Sequence, residues 1–148
     1  MKLCNIIAAM AFLVSPAVAA TLRHDASYNF ATNLPLTSFA CSDGANGLIT
    51  KYRVQNVAQL RQRLRPNIYI AASPSIPGWN SPQCGSCFKA RNPQNNKSIT
   101  FVGVDTSRNT GNVVTGGDAF RNLSPSGSLA EGHLTVYITT LPTRDCFR

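Results

Sequence analysis

Asn80-Ser-Pro-Gln-Cys-Gly-Ser-Cys-Phe88 sets two cysteines three positions apart, with glycine and serine between them and an aromatic residue after. How these thiols are used decides the fold. Four chemistries fit the string. Thiol proteases carry C-G-[SA]-C-[WY] around their nucleophile, redox proteins use C-x-x-C, and zinc sites use C-x₂-C pairs. The fourth is structural: each cysteine bonds a different distant partner.

The N-terminal residues bear on the choice. Met1-Lys-Leu-Cys4 is a short basic start, and residues 5–20, NIIAAMAFLVSPAVAA, form an apolar run ending in small residues. Ala17-Val18-Ala19 fits the A-x-A cleavage rule, so residues 1–20 read as a secretory signal peptide and the mature chain begins at Ala20 or Thr21. The run is too short for a bilayer span, which needs about 20 residues, and no other stretch is apolar enough. The expectation is a secreted protein with no membrane span and one domain over residues 21–148. Losing the leader removes Cys4 and leaves Cys41, Cys84, Cys87 and Cys146. An even count in an oxidising compartment reads as a disulfide framework, although four cysteines allow three pairings and spacing does not choose among them.

Charge sets a second bound. Lys and Arg number 14 against 6 acidic residues, and dropping Lys2 leaves 13 against 6, a formal net charge of +7. Lys51, Arg53, Arg61, Arg63 and Arg65 cluster. They read either as attraction to anionic wall polymers, membranes or nucleic acid, or as a solvated helix face. No aromatic residue interleaves the helix arginines as a single-strand groove requires, which argues against nucleic acid.

Along the chain, residues 28–35 read as an extended arm leading into a strand near Thr37–Ala40. Ser42-Asp43-Gly44 and Asn46-Gly47 supply turn chemistry. Leu48–Tyr52 reads as a second short strand. Asn56 can cap a helix whose apolar stripe is Val57, Leu60 and Leu64, stopped by Pro66. Strands are expected at Ile68–Ala71, from Cys87 onward, at Ser98–Val104 and at His133–Thr140, with one or two helical turns over Asp118–Leu123. Short strands and two short helices point to a small closed barrel. Asn96-Lys-Ser and Asn122-Leu-Ser match the N-glycosylation pattern.

Three of the four readings then weaken. The protease reading needs a histidine to activate the thiolate. His133 alone lies downstream, 46 residues past Cys87, against the roughly 130–150 the signature expects. Phe88 also replaces the Trp or Tyr. A redox site needs its thiolate at a helix N-terminus, yet Phe88-Lys-Ala-Arg91 continues as a strand. A zinc site lacks a second C-x₂-C pair. Structural bridging is the default.

Leu36-Thr-Ser-Phe-Ala-Cys-Ser-Asp-Gly44, Asn46-Gly-Leu48 and Gly78-Trp-Asn-Ser-Pro-Gln-Cys-Gly-Ser-Cys87 resemble the cerato-platanin family of small secreted fungal proteins. The resemblance runs from about Ser27 to Cys146. It implies a mainly β fold, a six-stranded double-psi β-barrel with two short helices and two disulfides, Cys41–Cys84 and Cys87–Cys146. It also implies a non-hydrolytic protein, with neither cofactor nor metal, that is monomeric and associates with the cell wall. Such a protein binds chitin or N-acetylglucosamine oligomers, with cellulose or β-glucan as further partners, loosens cellulose without hydrolysing it as expansins do, and acts as an elicitor or effector toward a plant receptor. The carbohydrate-binding positions that carry over are Asp43, Asn80, Ser81, Asp105 and Asn112; Tyr28 and Trp79 add, by their own chemistry, aromatic surfaces on which sugar rings can stack. Trp79 also reads as a core or loop anchor, and Asp105 as a turn aspartate accepting backbone N–H bonds. This chain departs from the family at Asp105-Thr-Ser-Arg108, where Asp-His-Ala-Gly is usual, and at Ser27-Tyr-Asn29, where Ser-Tyr-Asp is usual. Two rival functions stay open: weak polysaccharide cleavage by Asp105 with Asp43, since glycosidases need two carboxylates, or an effector that targets a plant protein.

Overall fold

Phe101 to Val104 is apolar without a break because the strand is covered on both faces there. In the computed structural model, which describes residues 16–148, Ile99 and Phe101 face one buried cluster and Val102 and Val104 face another. The first cluster fills the barrel, joined by Leu22, Phe88, Val113 and Val136, and closed by Phe120 and Leu123. The second lies between the barrel wall and an outer layer that contributes Leu36, Leu48, Val57, Leu60 and Phe147.

Six strands form the barrel: β1 (Val18–His24), β2 (Ile68–Ser73), β3 (Cys87–Arg91), β4 (Ser98–Thr106), β5 (Val113–Thr115) and β6 (Leu134–Leu141). They close in the order β1-β5-β2-β4-β3-β6. The β1–β5 and β2–β4 pairs are parallel and the other four are antiparallel. A register shift between Ala71 and Ala72 sets Ala71 against Gly103 and Ala72 against Asp105, which delivers Asp105 at the barrel rim. The closed six-stranded barrel is as expected, and so are the two bridges, Cys41–Cys84 and Cys87–Cys146.

Among the described residues three α-helices flank the strands, one more than expected: α1 (Leu48–Tyr52), α2 (Val57–Arg63) and α3 (Gly117–Leu123). The Asn56 carboxamide caps α2 by accepting from the Gln59 N–H at 2.9 Å. Leu48–Tyr52 is helical, not a strand, despite the β-branched Ile49 and Thr50. Tertiary contacts override that preference, since the Leu48 and Ile49 N–H groups donate to the Cys41 and Ser42 carbonyls. Gly47 makes the approach feasible: a Cβ there would sit 2.1–2.2 Å from the Asp43 and Ser42 carbonyl oxygens. Thr37–Ala40 is likewise no strand. Leu36–Ser38 is one 3₁₀ turn after Pro35, and the next N–H groups are taken singly, Ala40 by the Asp105 carboxylate and Cys41 by the Val104 carbonyl.

Most of the expected signal peptide lies outside the described residues. Val18, Ala19 and Ala20 do lie in β1, opposite Ile138, Tyr137 and Val136. Cleavage after Ala19 or Ala20 leaves Thr21–His24 in the barrel, including buried Leu22 and its pairing with Leu134 and Val113.

The loop after α3 is tied by Glu131, whose two carboxylate oxygens each accept from the buried Ser124 hydroxyl at 2.8 Å, while the Ser126 N–H donates at 3.2 Å. The Ser126 and Ser124 contacts hold the carboxyl down to about 2. A folded value below the unfolded one makes the contribution whole above about pH 4.5 and lost as pH falls through about 2. The difference in thermal midpoint between wild type and Glu131→Gln should therefore be flat above that range and close by pH 2. A difference that persists at pH 2 would rule out the carboxylate as its source.

Candidate carbohydrate-binding site

Asp105 gathers three donors. Oδ1 accepts from the Ala40 N–H at 2.9 Å and from the Thr106 N–H at 2.8 Å, and Oδ2 accepts from the Tyr28 hydroxyl at 2.9 Å. The aspartate thus ties the N-terminal arm and the 40–43 loop to the end of β4. Tyr28 reaches it from a 3₁₀ turn that Asp25 caps by accepting from the Ser27 N–H at 2.7 Å. Beyond it, Asn29 Oδ1 accepts from the Gly117 N–H at 2.8 Å. The arm crosses so close to Gly116 that a Cβ there would lie 2.3 Å from that same oxygen. Tyr28 stacks on Phe39, with ring centroids 5.7 Å apart. Burial, then the neighbouring Asp105 and Asp25 carboxylates, push the phenol well above its ordinary value of 10. Tyr28 therefore works as a neutral donor and not as a base.

Beside this knot opens a cleft of about 590 Å³, lined by Asp25, Tyr28, Pro77, Thr106, Arg108 and Thr110 among others. Its outer wall is the 106–112 loop, where the Ser107 hydroxyl donates to the Asn112 carbonyl and the Thr110 and Gly111 N–H groups return to the Ser107 carbonyl. Asn112 closes that loop through its main chain.

A second cluster stands two residues beyond Pro77. Trp79 is 62% exposed, and its indole N–H donates to Asp43 Oδ1 at 2.7 Å. Asn80 adopts a left-handed backbone, φ 58°. Its Oδ1 accepts from the Asn46 N–H at 2.9 Å, and Asn46 Nδ2 donates back to the Asn80 carbonyl at 3.0 Å. Ser81 is only 5% exposed, and its hydroxyl oxygen accepts from the Gln83 N–H at 3.1 Å. Asn80 and Ser81 therefore brace the loop that presents Trp79. The reading of Trp79 as a core anchor is overturned by its exposure.

The structure brings Tyr28 directly onto Asp105 and Asp43 onto Trp79. Asp43 and Asp105 belong to separate networks linked through residues 40–43. Asp25 is the acidic side chain that shares the cleft with Tyr28, and sequence reasoning missed it, along with Asn46 and Arg108. Asp25-Ala-Ser carried a readable signal, a capping aspartate two residues before the N–H it accepts from. Among the described residues no three His, Cys, Asp or Glu side chains group as metal ligands.

The model of the family described as cerato-platanin matches residues 20–147. The chain belongs to the cerato-platanin family. It is 36% identical over 106 residues to the cerato-platanin of Ceratocystis fimbriata f. sp. platani, covering 70% of this chain and 74% of that protein. The Allergen Asp f 15 homolog of Arthroderma benhamiae is 36% identical over 127 residues, covering 85% of this chain but 57% of its own length. Among solved structures, cerato-platanin 3 from M. perniciosa superposes with a TM-score of 0.73 at 28% identity, covering 86% of this chain and 97% of that one. The solution structure of the fungal elicitor cerato-platanin gives 0.67 at 30% identity, over 85% and 95%. The two disulfides of this family member suit an oxidising compartment. No helix among the described residues is long and apolar enough to cross a membrane.

Proposed function

We propose that this protein is secreted after removal of residues 1–20, which leaves one domain over residues 21–148, and binds neutral wall polysaccharides of the N-acetylglucosamine or β-glucan type without cleaving them. The exposed Trp79, pinned by its indole N–H to Asp43 two residues beyond Pro77 of the cleft wall, carries this reading. An aromatic face held rigid in solvent offers a sugar ring an apolar platform at little entropic cost. Asp25, Thr106, Arg108 and Thr110 then meet the hydroxyls, with Asn112 at the foot of the loop. Hydrolysis is disfavoured because the proposed carboxylate pair is committed to structure. Asp105 receives three donors, and one Asp43 oxygen holds the indole. Through such binding the protein acts at the wall between fungus and plant, as an elicitor.

Trp79→Ala should weaken binding to chitin oligomers roughly tenfold, equivalent to about 1.4 kcal/mol, with an unchanged thermal midpoint. Titration calorimetry with N-acetylglucosamine oligomers checks this, with a reducing-sugar assay alongside. Unchanged affinity would remove the platform from the site. Reducing ends released by wild type and absent with Asp105→Asn would establish cleavage instead.

A further inference from the structure

The arginines of α2 do not point idly at solvent. Three concave surfaces adjoin around its C-terminal half, and Gln62 lines all three. The first, about 390 Å³, lies between the ends of α1 and α2 and the C-terminal segment, and carries Lys51, Arg53, Arg63 and Arg148. The second, about 440 Å³, shares Arg53 and Arg63 with it. The third, about 820 Å³, continues past Arg148 to Arg61 and Arg65. Six cations thus line one continuous track. Its one acidic side chain is Asp118, already paired with Arg121 at 3.1 Å.

Helix-end electrostatics accounts for part of this, since cations in the last turn of a helix are favoured. Lys51, Arg61 and Arg63 are so placed. Arg53 is not explained that way. It follows α1 in a left-handed backbone, φ 53° and ψ 50°, a position where glycine or asparagine is the ordinary choice. The chain accepts that strain and sets a guanidinium, which makes no hydrogen bond or ion pair among the described residues, at the mouth shared by two of the concavities. Arg148 Nε donates to the Leu64 carbonyl at 2.8 Å, which orients its guanidinium into the same track.

We infer that this track binds a linear acidic polysaccharide, a polyuronate carrying a carboxylate on each sugar. A run of three concavities fits a polymer better than a single anion. Gln59 and Gln62 stand between the cations and supply amide donors and acceptors for hydroxyls. Nucleic acid is the poorer fit because the track's aromatics are already engaged: Tyr52 stacks on buried Phe147 at 4.2 Å, the Arg61 guanidinium lies 4.9 Å over the Phe30 ring, and the Tyr69 hydroxyl accepts from the Asn122 amide. An anionic bilayer is also the poorer fit. The exposed large apolar side chains among the described residues are Val18, Trp79 and Tyr137, and none lines the track. This binding is independent of the Trp79 cleft.

The test is affinity electrophoresis and calorimetry with polygalacturonate and its fully methyl-esterified form, for wild type, Arg53→Gly/Arg63→Gln and Arg23→Gln/Lys89→Gln. The last pair removes the same charge from exposed positions off the track. Wild type is expected to bind the acidic polymer and not the ester. The track variant should bind at least about tenfold more weakly, with the log-affinity against log-salt slope shallower by roughly one for each cation removed. The off-track pair should match wild type. Arg53→Gly alone relieves the left-handed strain, so a thermal midpoint at or above wild type shows that its binding loss is not unfolding. Equal loss in both double variants, absent binding to polygalacturonate, or tighter binding to duplex DNA or phosphatidylserine vesicles would each overturn the inference.

Discussion

Replacing Cys87 and Cys146 together by serine should lower folding stability by about 4 kcal/mol, the loop-closure contribution expected for a bridge of this span. The two residues are 59 apart, and the bond ties β3 to the segment after β6. Without it the unfolded chain gains the freedom of that loop. The folded state loses the tether that sets Phe147 against Leu64 and stacks it on Tyr52. Urea denaturation of the double variant, which carries no orphan thiol, reads the loss as a lower midpoint with a steeper slope, because the uncrosslinked denatured chain exposes more surface. A loss under 1 kcal/mol would mean that the outer layer holds its own position. Both partners are almost wholly buried, so the serines also leave two hydroxyls in apolar surroundings, and that adds to the cost.

Asp105→Ala should cost roughly 2–4 kcal/mol, because it strands two backbone donors and one phenol that are partly shielded from water. The Ala40 and Thr106 N–H groups have no other partner in reach of the carboxylate position, whereas the Tyr28 hydroxyl can turn. Asp105→Asn separates structure from charge. Its amide oxygen can still accept both N–H groups, and its NH₂ can donate to a rotated Tyr28 hydroxyl, so a loss near 1 kcal/mol is expected. Amide hydrogen exchange makes the assignment local: Ala40 and Thr106 should lose protection in the alanine variant and keep most of it in the asparagine variant. Equal destabilisation by the two substitutions would show that the negative charge, not the donor count, is what the knot requires.

The strands that proved easiest to read are those with a physical pattern of their own. Leu134, Val136 and Ile138 alternate on β6, and the continuous apolar run of β4 reflects cover on both faces. β5 offers only Val113-Val-Thr115 between two glycines, too short for any period, and exists because parallel β1 and antiparallel β2 flank it. β1 was hidden differently, since Val18–Ala20 read as the tail of a leader. The errors at Thr37–Ala40 and Leu48–Tyr52 share a cause. The Ala40 and Cys41 N–H groups are taken by Asp105 and Val104, the Leu48 and Ile49 N–H groups return to carbonyls of the Cys41 loop itself, and no local propensity carries that information. The site was legible by type more than by geometry. Tyr28 and Asp105 do meet across 77 positions, but the indole bond of Trp79 to Asp43 and the presence of Asp25 in the cleft depend on how the arm and the 77–80 segment lie across the rim.

The CGSC junction has a consequence for survival among extracellular proteases. A cut between Cys41 and Cys84 leaves both pieces joined by the first bridge, and a cut between Cys87 and Cys146 leaves them joined by the second. Between Cys41 and Cys146, only the three peptide bonds from Cys84 to Cys87 are spanned by neither. Those bonds are held against β4, with the Gly85 N–H donating to the Gly103 carbonyl at 2.9 Å and the Gly103 N–H donating to the Ser86 carbonyl at 3.0 Å, and Gly85 itself is buried. The one gap in the covalent frame is thus kept out of a protease's reach, and a molecule nicked in any of its exposed loops between Cys41 and Cys146 stays in one piece.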